Sequence, residues 1–535
     1  MGRHDDINRR RLHLTTKRKN IQMNIKRLKF TAYAAAALVF LGSCQSFLDE
    51  DPKADLAPGN YFQSQGDLDG ALAAMYLKLA RDGAWGFTSK ETSYFGSDDM
   101  TTDPGLNKQD QRDFDKLSGS STNQSMLAQW EGPWQAIYQA NNIINNYERV
   151  NTTDELKNAA GGQAYYFRGM CYYYLVRTFG ELPIVTESLD AEARPDREPV
   201  EKVYELIISD LEKAKELLPV TFNGESGRAN KMAAQSLLSD VYLTMAGWPL
   251  NQTDKYALSA EEAEGVISAG VYDLNTPYDK VFTTNNSSES IFSLYYNVAG
   301  GLPNRRFGSS NVPLDEVAID GTSGWDDVYP ELNFFKNAPE CTRTDLTFYT
   351  TLKLRNPDNK TFKLVSWDSP ETHARHPYYK KFRAGLNGDG VKETETEILS
   401  IQPSTNKATD IIRYPMVLLN YAEASTMAAG APSAAAYDAI NQVRKRAGLP
   451  DLTPGLSAEA FRDSVVYERA YEFAGEFGVR WFDIVRLQLL PEIVAARSSE
   501  ENEIPAGTDF STKYIAPIPF NEMTRNPTWI QNPGY

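Results

Sequence analysis

Apolar residues recur every three or four positions through most of this chain, which is the spacing of one face of an α-helix. Between residues 200 and 218, for example, Val203, Ile207 and Leu211 form such a stripe. Pro415 suits the first turn of a later helix, because a proline there gives up an N–H that has no partner within the helix. The pattern predicts helices over residues 68–79, 130–144, 163–179, 200–218, 231–245, 257–268, 415–427, 434–446, 458–473 and 480–490.

Two pairs of these helices resemble tetratricopeptide hairpins, in which small side chains of one helix pack against the next helix. The first pair is AAQSLLSDVYLTMAG followed by YALSAEEAEGVISAG, and the second is YPMVLLNYAEASTMAAG followed by AAAYDAINQVRKRAG. Between the pairs, residues 271–410 have little helical periodicity and many Asn, Gly, Ser, Pro and aromatic residues. We therefore expect a mainly α fold: a tetratricopeptide-like scaffold with a few short strands and long irregular loops that contact ligand.

The N-terminal region has the order of zones found in a secretion signal. Three basic side chains between residues 26 and 29 precede an apolar run from Phe30 to Leu41. This run of about a dozen residues is shorter than the roughly 20 that a membrane-spanning helix needs, so it is typical of a signal peptide. Residues 1–22 would place the run far from the N-terminus, and we therefore predict Met23 as the true start.

Cys44 ends this region in the sequence Leu41-Gly42-Ser43-Cys44, which has the pattern of a bacterial lipobox. A cysteine thiolate is the nucleophile that can form a thioether to a diacylglyceryl group, after which cleavage would leave Cys44 as a lipidated N-terminus. Each buried CH₂ contributes about 0.8 kcal/mol, so two or more acyl chains hold a protein to a bilayer. The alternative is a general secretion signal cleaved nearby, with an incidental cysteine.

The charge of the remaining chain restricts its partners. Residues 1–44 hold 10 of the 55 Lys and Arg residues but only 2 of the 71 Asp and Glu residues, which leaves 45 against 69 and a formal charge of −24. Such a chain is repelled by phosphate backbones and by anionic lipid, so we expect no nucleic-acid partner. Membrane attachment would then depend on the lipid at Cys44.

Motifs for cofactor or metal chemistry are scarce. The sequence contains no Gly-rich phosphate loop, no H-E-x-x-H and no C-x-x-C. His373 and His376 lie near Glu371 in ETHARHPYY, but two histidines beside a proline are more often surface residues than metal ligands, so we predict neither metal nor cofactor. Cys171 has the spacing of a core residue, and whether it pairs with Cys341 is left open.

Seven segments resemble, in the same order, those of SusD/RagB-family lipoproteins. They are SFLDEDP, RTFGELPIV, GRANK, LLNYAEA, INQVRKRAGL, ERAYEFAGEFGVRWFDIVR and PIPFNEMTRNPTWIQNPGY. The resemblance covers essentially all of the chain after Cys44. It divides the chain into a leader (1–44), an N-terminal helical region (45–225), a tetratricopeptide-like hairpin (226–270) and a C-terminal region with long loops (271–535).

The resemblance implies a non-catalytic, surface-exposed lipoprotein of the outer membrane. Members of the family bind oligosaccharides and deliver them to a SusC-type TonB-dependent transporter, and some serve peptide uptake. The acidic run Asp49-Glu50-Asp51 is similar to a signal that carries lipoproteins to the outer face, although a solvated linker would look the same. The family's shared segments are mostly scaffold, so they assign no binding residue.

Sugar ligands need aromatic rings for their C–H faces and polar groups for their hydroxyls. Three loops offer this mixture: AWGFTSKETSYFGSDD, SLYYNVAGGLPNRRFG through GWDDVYP, and VSWDSPETHARHPYY. The alternative for every residue chosen from them is an aromatic that anchors a loop or an acid that forms a turn. The candidate ligand-binding residues are Trp85, Tyr94, Asp98, Tyr296, Trp325 and Trp367.

A surface glycosidase of the α/α-barrel type is the main alternative. Its acid and base would be two carboxylates, for which the adjacent Asp98 and Asp99 are candidates. Adjacent acids in a loop more often form a turn or a helix cap. The predicted helices also cluster in unequal pairs around a long loop region, whereas an α/α barrel needs a regular ring, so a binding protein is favoured.

Overall fold

The computed structural model describes residues 61–187, 193–358, 360–383 and 390–535. The leader, Cys44 and the acidic run at residues 49–51 lie outside the described residues. The helices are α1 (Gln65–Ala80), α2 (Gln109–Asp115), α3 (Gln124–Ile144), α4 (Asp154–Phe179), α5 (Val200–Leu217), α6 (Lys231–Met245), α7 (Lys255–Ala269), α8 (Tyr278–Val281), α9 (Leu332–Lys336), α10 (Thr342–Thr347), α11 (Tyr414–Ala429), α12 (Ala434–Ala447), α13 (Ala458–Glu472), α14 (Val479–Leu487), α15 (Leu490–Ala496) and α16 (Phe520–Arg525).

The mainly α fold class is confirmed, and the predicted helices differ from the observed ones mostly at their ends. Helix α5 buries Val203, Ile207 and Leu211 as the stripe requires. Helix α4 begins at Asp154, nine residues before the predicted start, where the Thr153 side chain accepts a hydrogen bond from the first turn. The sequence of that early part, DELKNAAGG, is polar and small, so it has no apolar stripe that could predict a helix.

Both predicted hairpins are present as pairs of contacting consecutive helices, α6 with α7 and α11 with α12. The two hairpins also pack against each other through α7 and α11, although more than 140 residues separate them in sequence. Ala424 of α11 joins Leu243, Ala246 and Tyr256 of the first hairpin in one buried cluster. The small residues of the two first helices therefore allow the close packing that the repeat pattern predicts.

The strands are short and lie in the region where the sequence lacks helical periodicity. They pair as four separate antiparallel two-stranded sheets. The partners are β1 (Ser290–Leu294) with β8 (Thr409–Arg413), β2 (Phe348–Tyr349) with β5 (Tyr378–Tyr379), β3 (Thr351–Arg355) with β4 (Phe362–Ser366), and β6 (Val391–Glu393) with β7 (Ile398–Ile401). Since β1 and β8 pair directly, residues 295–408 form one excursion that leaves the helical scaffold and returns beside its starting point.

A buried ionic network joins α13 to the base of this excursion. Glu472 of α13 accepts from Arg446 at 2.5 Å, from Arg413 at 3.0 Å and from Arg343 at 3.1 Å. The side chain of Glu472 is fully buried. Burial alone would raise the pKa of Glu472, but Arg446, Arg413 and Arg343 together lower it to about 2. The ERAYEFAGEFG segment thus lies at the centre of a buried ion-pair network of the scaffold.

Cys171 and Cys341, whose pairing the sequence left open, are both free thiols. Cys171 is buried inside α4, and burial raises the pKa of its thiol. Within the part of the chain that the structure describes, no helix combines the length and the apolar character needed to cross a bilayer.

Candidate functional site

Three of the six predicted ligand-binding residues lie in the core of the fold. The exposed fractions of Trp85, Tyr94 and Tyr296 are 2%, 3% and 7%. The ring of Trp85 packs edge-on against Tyr174 and Phe477, with centroids 4.8 and 4.6 Å away. The Tyr296 hydroxyl donates to the Trp85 carbonyl oxygen at 3.3 Å. In this structure these side chains hold the loops together and present almost no surface to a ligand.

The carboxylates of the adjacent acids Asp98 and Asp99 both accept hydrogen bonds from groups of the scaffold. Asp98 accepts two hydrogen bonds from Arg480, at 2.7 and 2.6 Å, and so ties a loop to α14. Asp99 is buried and accepts from the Gly475 N–H at 2.8 Å. Burial raises the pKa of Asp99 to about 6, against the effect of its hydrogen bond from Ser97. Neither carboxylate lines the cleft around Trp325.

Trp367 is half-buried at the edge of a cluster of aromatic residues in the excursion. Its ring meets Phe335 edge-on, with 5.6 Å between centroids. Phe335 also lines a neighbouring cavity of about 810 Å³. The cations Lys353 and Arg383 in that cavity are both paired with Glu393, so these three charged groups are satisfied by one another.

Trp325 lies in an open cleft of about 590 Å³. Its ring stands edge-on to Phe87, with centroids 6.5 Å apart and planes at 82°. The guanidinium carbon of Arg305 lies 5.7 Å from the Trp325 ring centroid and 5.6 Å from that of Phe87. Arg305 is held from behind by Asp82 at 3.1 Å. The cleft therefore has two aromatic rings and a positioned guanidinium on one side.

The walls of this cleft come from two distant parts of the chain that are joined by backbone hydrogen bonds. Phe87 follows α1, whereas Trp325 belongs to the excursion. The Arg305 N–H donates to the Gly86 carbonyl oxygen at 2.9 Å, and the Trp325 N–H donates to that of Ser309 at 2.9 Å. A Cβ on Gly86 would lie 2.6 Å from the Ala80 carbonyl oxygen, so only glycine allows this close turn.

Polar side chains face these rings from the segment around α2. The lining includes the exposed amide of Asn107 and the carboxylates of Asp103 and Asp110. Lys108 forms an ion pair with Asp327 and is nearly buried, so its charge is not available to a ligand. The cleft thus combines apolar ring faces with hydrogen-bonding groups and has few unpaired cations.

Two carboxylates of the cleft meet an imidazole from the loop that was predicted to lie at the surface. Asp103, Asp326 and His373 each offer one donor atom, and the three atoms lie within 4.8 Å of one another. The His373 Nε2 is 2.7 Å from an oxygen of Asp103. His376 is separate from this group: burial alone would lower its pKa, but its contact with Glu501 at 2.9 Å raises it.

Two of the loops selected from the sequence reach this cleft, but through side chains other than Trp85 and Tyr296. Phe87 and Arg305 line or approach it, whereas Trp85 and Tyr296 from the same segments point into the core. Irregular loops have no period that would tell which aromatic side chain faces inward.

Comparisons with protein families match both ends of the described scaffold. A family model described as "Starch-binding associating with outer membrane" matches residues 46–243, and one described as "SusD family" matches residues 369–535. Among curated relatives, SusD-like protein P2 of Formosa agariphila is 28% identical over 525 residues, covering 93% of this chain and 98% of that protein. A SusD-like protein of Bacteroides ovatus is 24% identical over 486 residues, covering 85% and 82%.

Solved structures show the same fold. A SusD homolog from Bacteroides thetaiotaomicron has a TM-score of 0.75 at 24% identity and covers 89% of this chain and 98% of its own. Surface glycan-binding protein A from the same organism, solved in complex with laminarihexaose, has a TM-score of 0.69 at 20% identity and covers 88% and 100%. The helical scaffold with its loop excursion is therefore a recurring architecture.

Proposed function

We propose a function for this chain from the premise that it belongs to the SusD/RagB family. It is a lipid-anchored protein on the outer-membrane surface that binds an oligosaccharide and delivers it to a SusC-type TonB-dependent transporter. Binding, and not catalysis, is its role. The family membership supports the cellular role, and the geometry of one cleft supports the choice of ligand.

The observation that carries the ligand assignment is the Phe87 and Trp325 pair with Arg305 beside it. Sugar rings present C–H faces that pack on aromatic rings, and their hydroxyls need donors and acceptors within the same site. Phe87 and Trp325 supply the apolar faces, while Arg305 and Asn107 supply donors. Of the six residues predicted from sequence, Trp325 is the one that we place at the centre of this site.

The charges of the cleft favour a neutral glycan over an anionic one. Asp103, Asp110 and Asp326 line it, whereas Lys108 is neutralised by Asp327. A carboxylated or sulfated sugar would face repulsion from these acids. We therefore expect the affinity for glycan to change little between 0.05 and 0.5 M salt, since Coulomb interactions are screened over about 10 Å at 0.1 M while ring stacking is not.

A glycan array with the purified chain, followed by calorimetry with the sugar retained, tests this site. The array includes laminarihexaose, because one structural neighbour was solved with it. Trp325→Ala and Phe87→Ala should each weaken binding at least tenfold, equivalent to about 1.4 kcal/mol. Trp529→Ala is the matched control, because that ring is half-buried against Trp130 and Pro195 and lies outside the cleft. Unchanged affinity in both cleft variants would remove the assignment.

The same experiment separates the two alternatives. A surface glycosidase would release shorter products from a retained glycan, and Asp98→Asn or Asp99→Asn would abolish that release. A peptide-binding protein would retain peptides from a peptide library and none of the glycans. Retention of a glycan without product formation is the result expected from the proposed function.

The partnership with a transporter rests on the family alone and has its own test. A transporter should co-purify from membranes in mild detergent, because a delivery complex needs an interface of the obligate kind, roughly above 2,000 Å². Recovery of the chain without any co-purifying outer-membrane transporter, at a detergent concentration that preserves other outer-membrane complexes, would contradict this part of the proposal.

A further inference from the structure

We infer that Asp103, Asp326 and His373 form a binding site for a divalent cation of the Zn²⁺ class, at the edge of the Trp325 cleft. Two carboxylates and one imidazole come together from three separate loops, with their donor atoms within 4.8 Å of one another. The sequence alone predicts no metal site here, because two histidines beside a proline are typical of surface residues. This inference concerns cation binding alone and does not depend on the proposed glycan function.

The strongest indication is an unpartnered oxygen on a buried acid. Asp326 is 1% exposed, and its Oδ2 has no hydrogen-bond partner within the described residues. Its other oxygen is already used, since Oδ1 accepts from the Tyr378 hydroxyl at 2.7 Å and from the Leu314 N–H at 2.8 Å. A buried carboxylate oxygen without a partner is unfavourable unless a proton or a cation binds it.

The neighbouring side chains do not supply that positive charge. Among the residues that the structure describes, neither Asp326 nor Asp103 forms an ion pair with a lysine or arginine, and Lys108 is committed to Asp327. The contact of Asp103 is with the His373 Nε2, at 2.7 Å. The contact of His373 with Asp103 leaves the Oδ2 of Asp326 without a partner, whereas a divalent cation between the two carboxylates can bind both.

The three donors are oriented by contacts behind them, as is usual for metal ligands. The Gly105 N–H donates to the Oδ1 of Asp103, which leaves Oδ2 directed at His373. The backbone N–H of His373 donates to Asp315 at 2.6 Å and fixes the base of its side chain. The imidazole itself is 51% exposed, so it can close onto a cation, and water can complete the coordination.

The donor set selects the class of cation. Calcium and magnesium prefer oxygen ligands alone, whereas one imidazole with two carboxylates suits Zn²⁺ and, more weakly, Mn²⁺. Zinc bonds of about 2.0–2.2 Å place neighbouring donors roughly 3.4 Å apart, which small movements of the exposed His373 side chain can reach from the observed separations. The chemical class is therefore a borderline divalent cation with mixed nitrogen and oxygen ligands.

Calorimetric titration of the metal-stripped chain, purified without a polyhistidine tag, tests the site with ZnCl₂, MnCl₂ and CaCl₂. One equivalent of Zn²⁺ should bind, and both His373→Ala and Asp326→Asn should weaken binding at least tenfold. Asp320→Asn is the control, because Asp320 is an exposed acid of the same excursion that accepts from Thr322 and does not line the cleft. His373→Ala alters an exposed side chain and keeps the test valid if Asp326→Asn fails to fold.

The cobalt-substituted protein gives a second measurement, since Co²⁺ in a site with an imidazole ligand has visible d–d absorption that His373→Ala should change. Absence of stoichiometric Zn²⁺ binding would overturn the inference. So would Zn²⁺ binding that is equal in the wild type, His373→Ala and Asp326→Asn, or a preference for Ca²⁺ over Zn²⁺, which would point to a site with oxygen ligands alone.

Discussion

Replacement of Glu472 by Gln should destabilise the fold more than any change of a surface acid. The substitution keeps the shape of the side chain but removes the charge that Arg343, Arg413 and Arg446 share. Those three guanidinium groups are buried and remain bound to Glu289, Glu468 or Glu476. In the variant, fewer carboxylates offset the mutual repulsion of the three guanidinium groups.

The magnitude follows from the pKa of Glu472. Its fall from 4.5 to about 2 on folding corresponds to about 3 kcal/mol, at about 1.4 kcal/mol for each pKa unit. The cost of removing one partner from a buried ion pair is of the same size, about 3–5 kcal/mol. Because the pKa is lowered in the folded state, this stability is complete above about pH 4.5 and disappears as the pH falls through 2.

Urea unfolding, followed by circular dichroism at pH 7 and at pH 3, measures the effect. Glu472→Gln should lose about 3 kcal/mol at pH 7 and less than half of that difference at pH 3. Glu216→Gln is the control: Glu216 is an exposed partner of Lys213 at 2.9 Å, and such pairs contribute about 0.5 kcal/mol or less. A loss below 1 kcal/mol at pH 7, or a loss that does not depend on pH, would refute the reasoning.

Two further predictions concern Asp99 and Cys44. Burial raises the pKa of Asp99 to about 6, so the stability associated with its protonated form is complete below about pH 4 and is lost as the pH rises through 6. In urea unfolding, Asp99→Asn should therefore gain up to about 3 kcal/mol of stability relative to wild type between pH 4 and pH 7. A difference between the two proteins that stays constant with pH would contradict this. Cys44→Ala should abolish lipid labelling and leave the circular dichroism spectrum unchanged; persistent labelling would show that lipid attaches elsewhere.

The helices could be predicted because their burial is periodic. Val203, Ile207 and Leu211 repeat at helical spacing and are buried in α5, and the small residues of the two hairpins predict their close packing. Prediction from sequence failed where a helix-capping residue sets the start of a helix or where a side chain binds a partner distant in sequence. Arg480 pairs with Asp98, 382 residues away, and no helical spacing encodes that contact.

The candidate site could be predicted only to the level of its loops. Trp325, one of the residues selected from the sequence, has an accessible ring beside polar groups, whereas the sequence does not distinguish Trp85 from Phe87. Their difference comes from tertiary packing, because Tyr174 and Phe477 surround one ring and leave the other open. The meeting of His373 with Asp103 depends on a contact across 270 residues, which no local pattern encodes.

The β1 and β8 pair makes residues 295–408 replaceable as a unit. Because the excursion departs and returns at adjacent positions, its length and sequence can change while its two ends stay side by side in space, as Ser293 and Asp410 do with side-chain oxygens 2.6 Å apart. Loop closure costs rise only slowly with length, about 0.6 kcal/mol for each doubling. Lineages that share the helical frame can therefore acquire new ligand preferences by exchanging this insert, much as antibodies exchange loops on a constant framework.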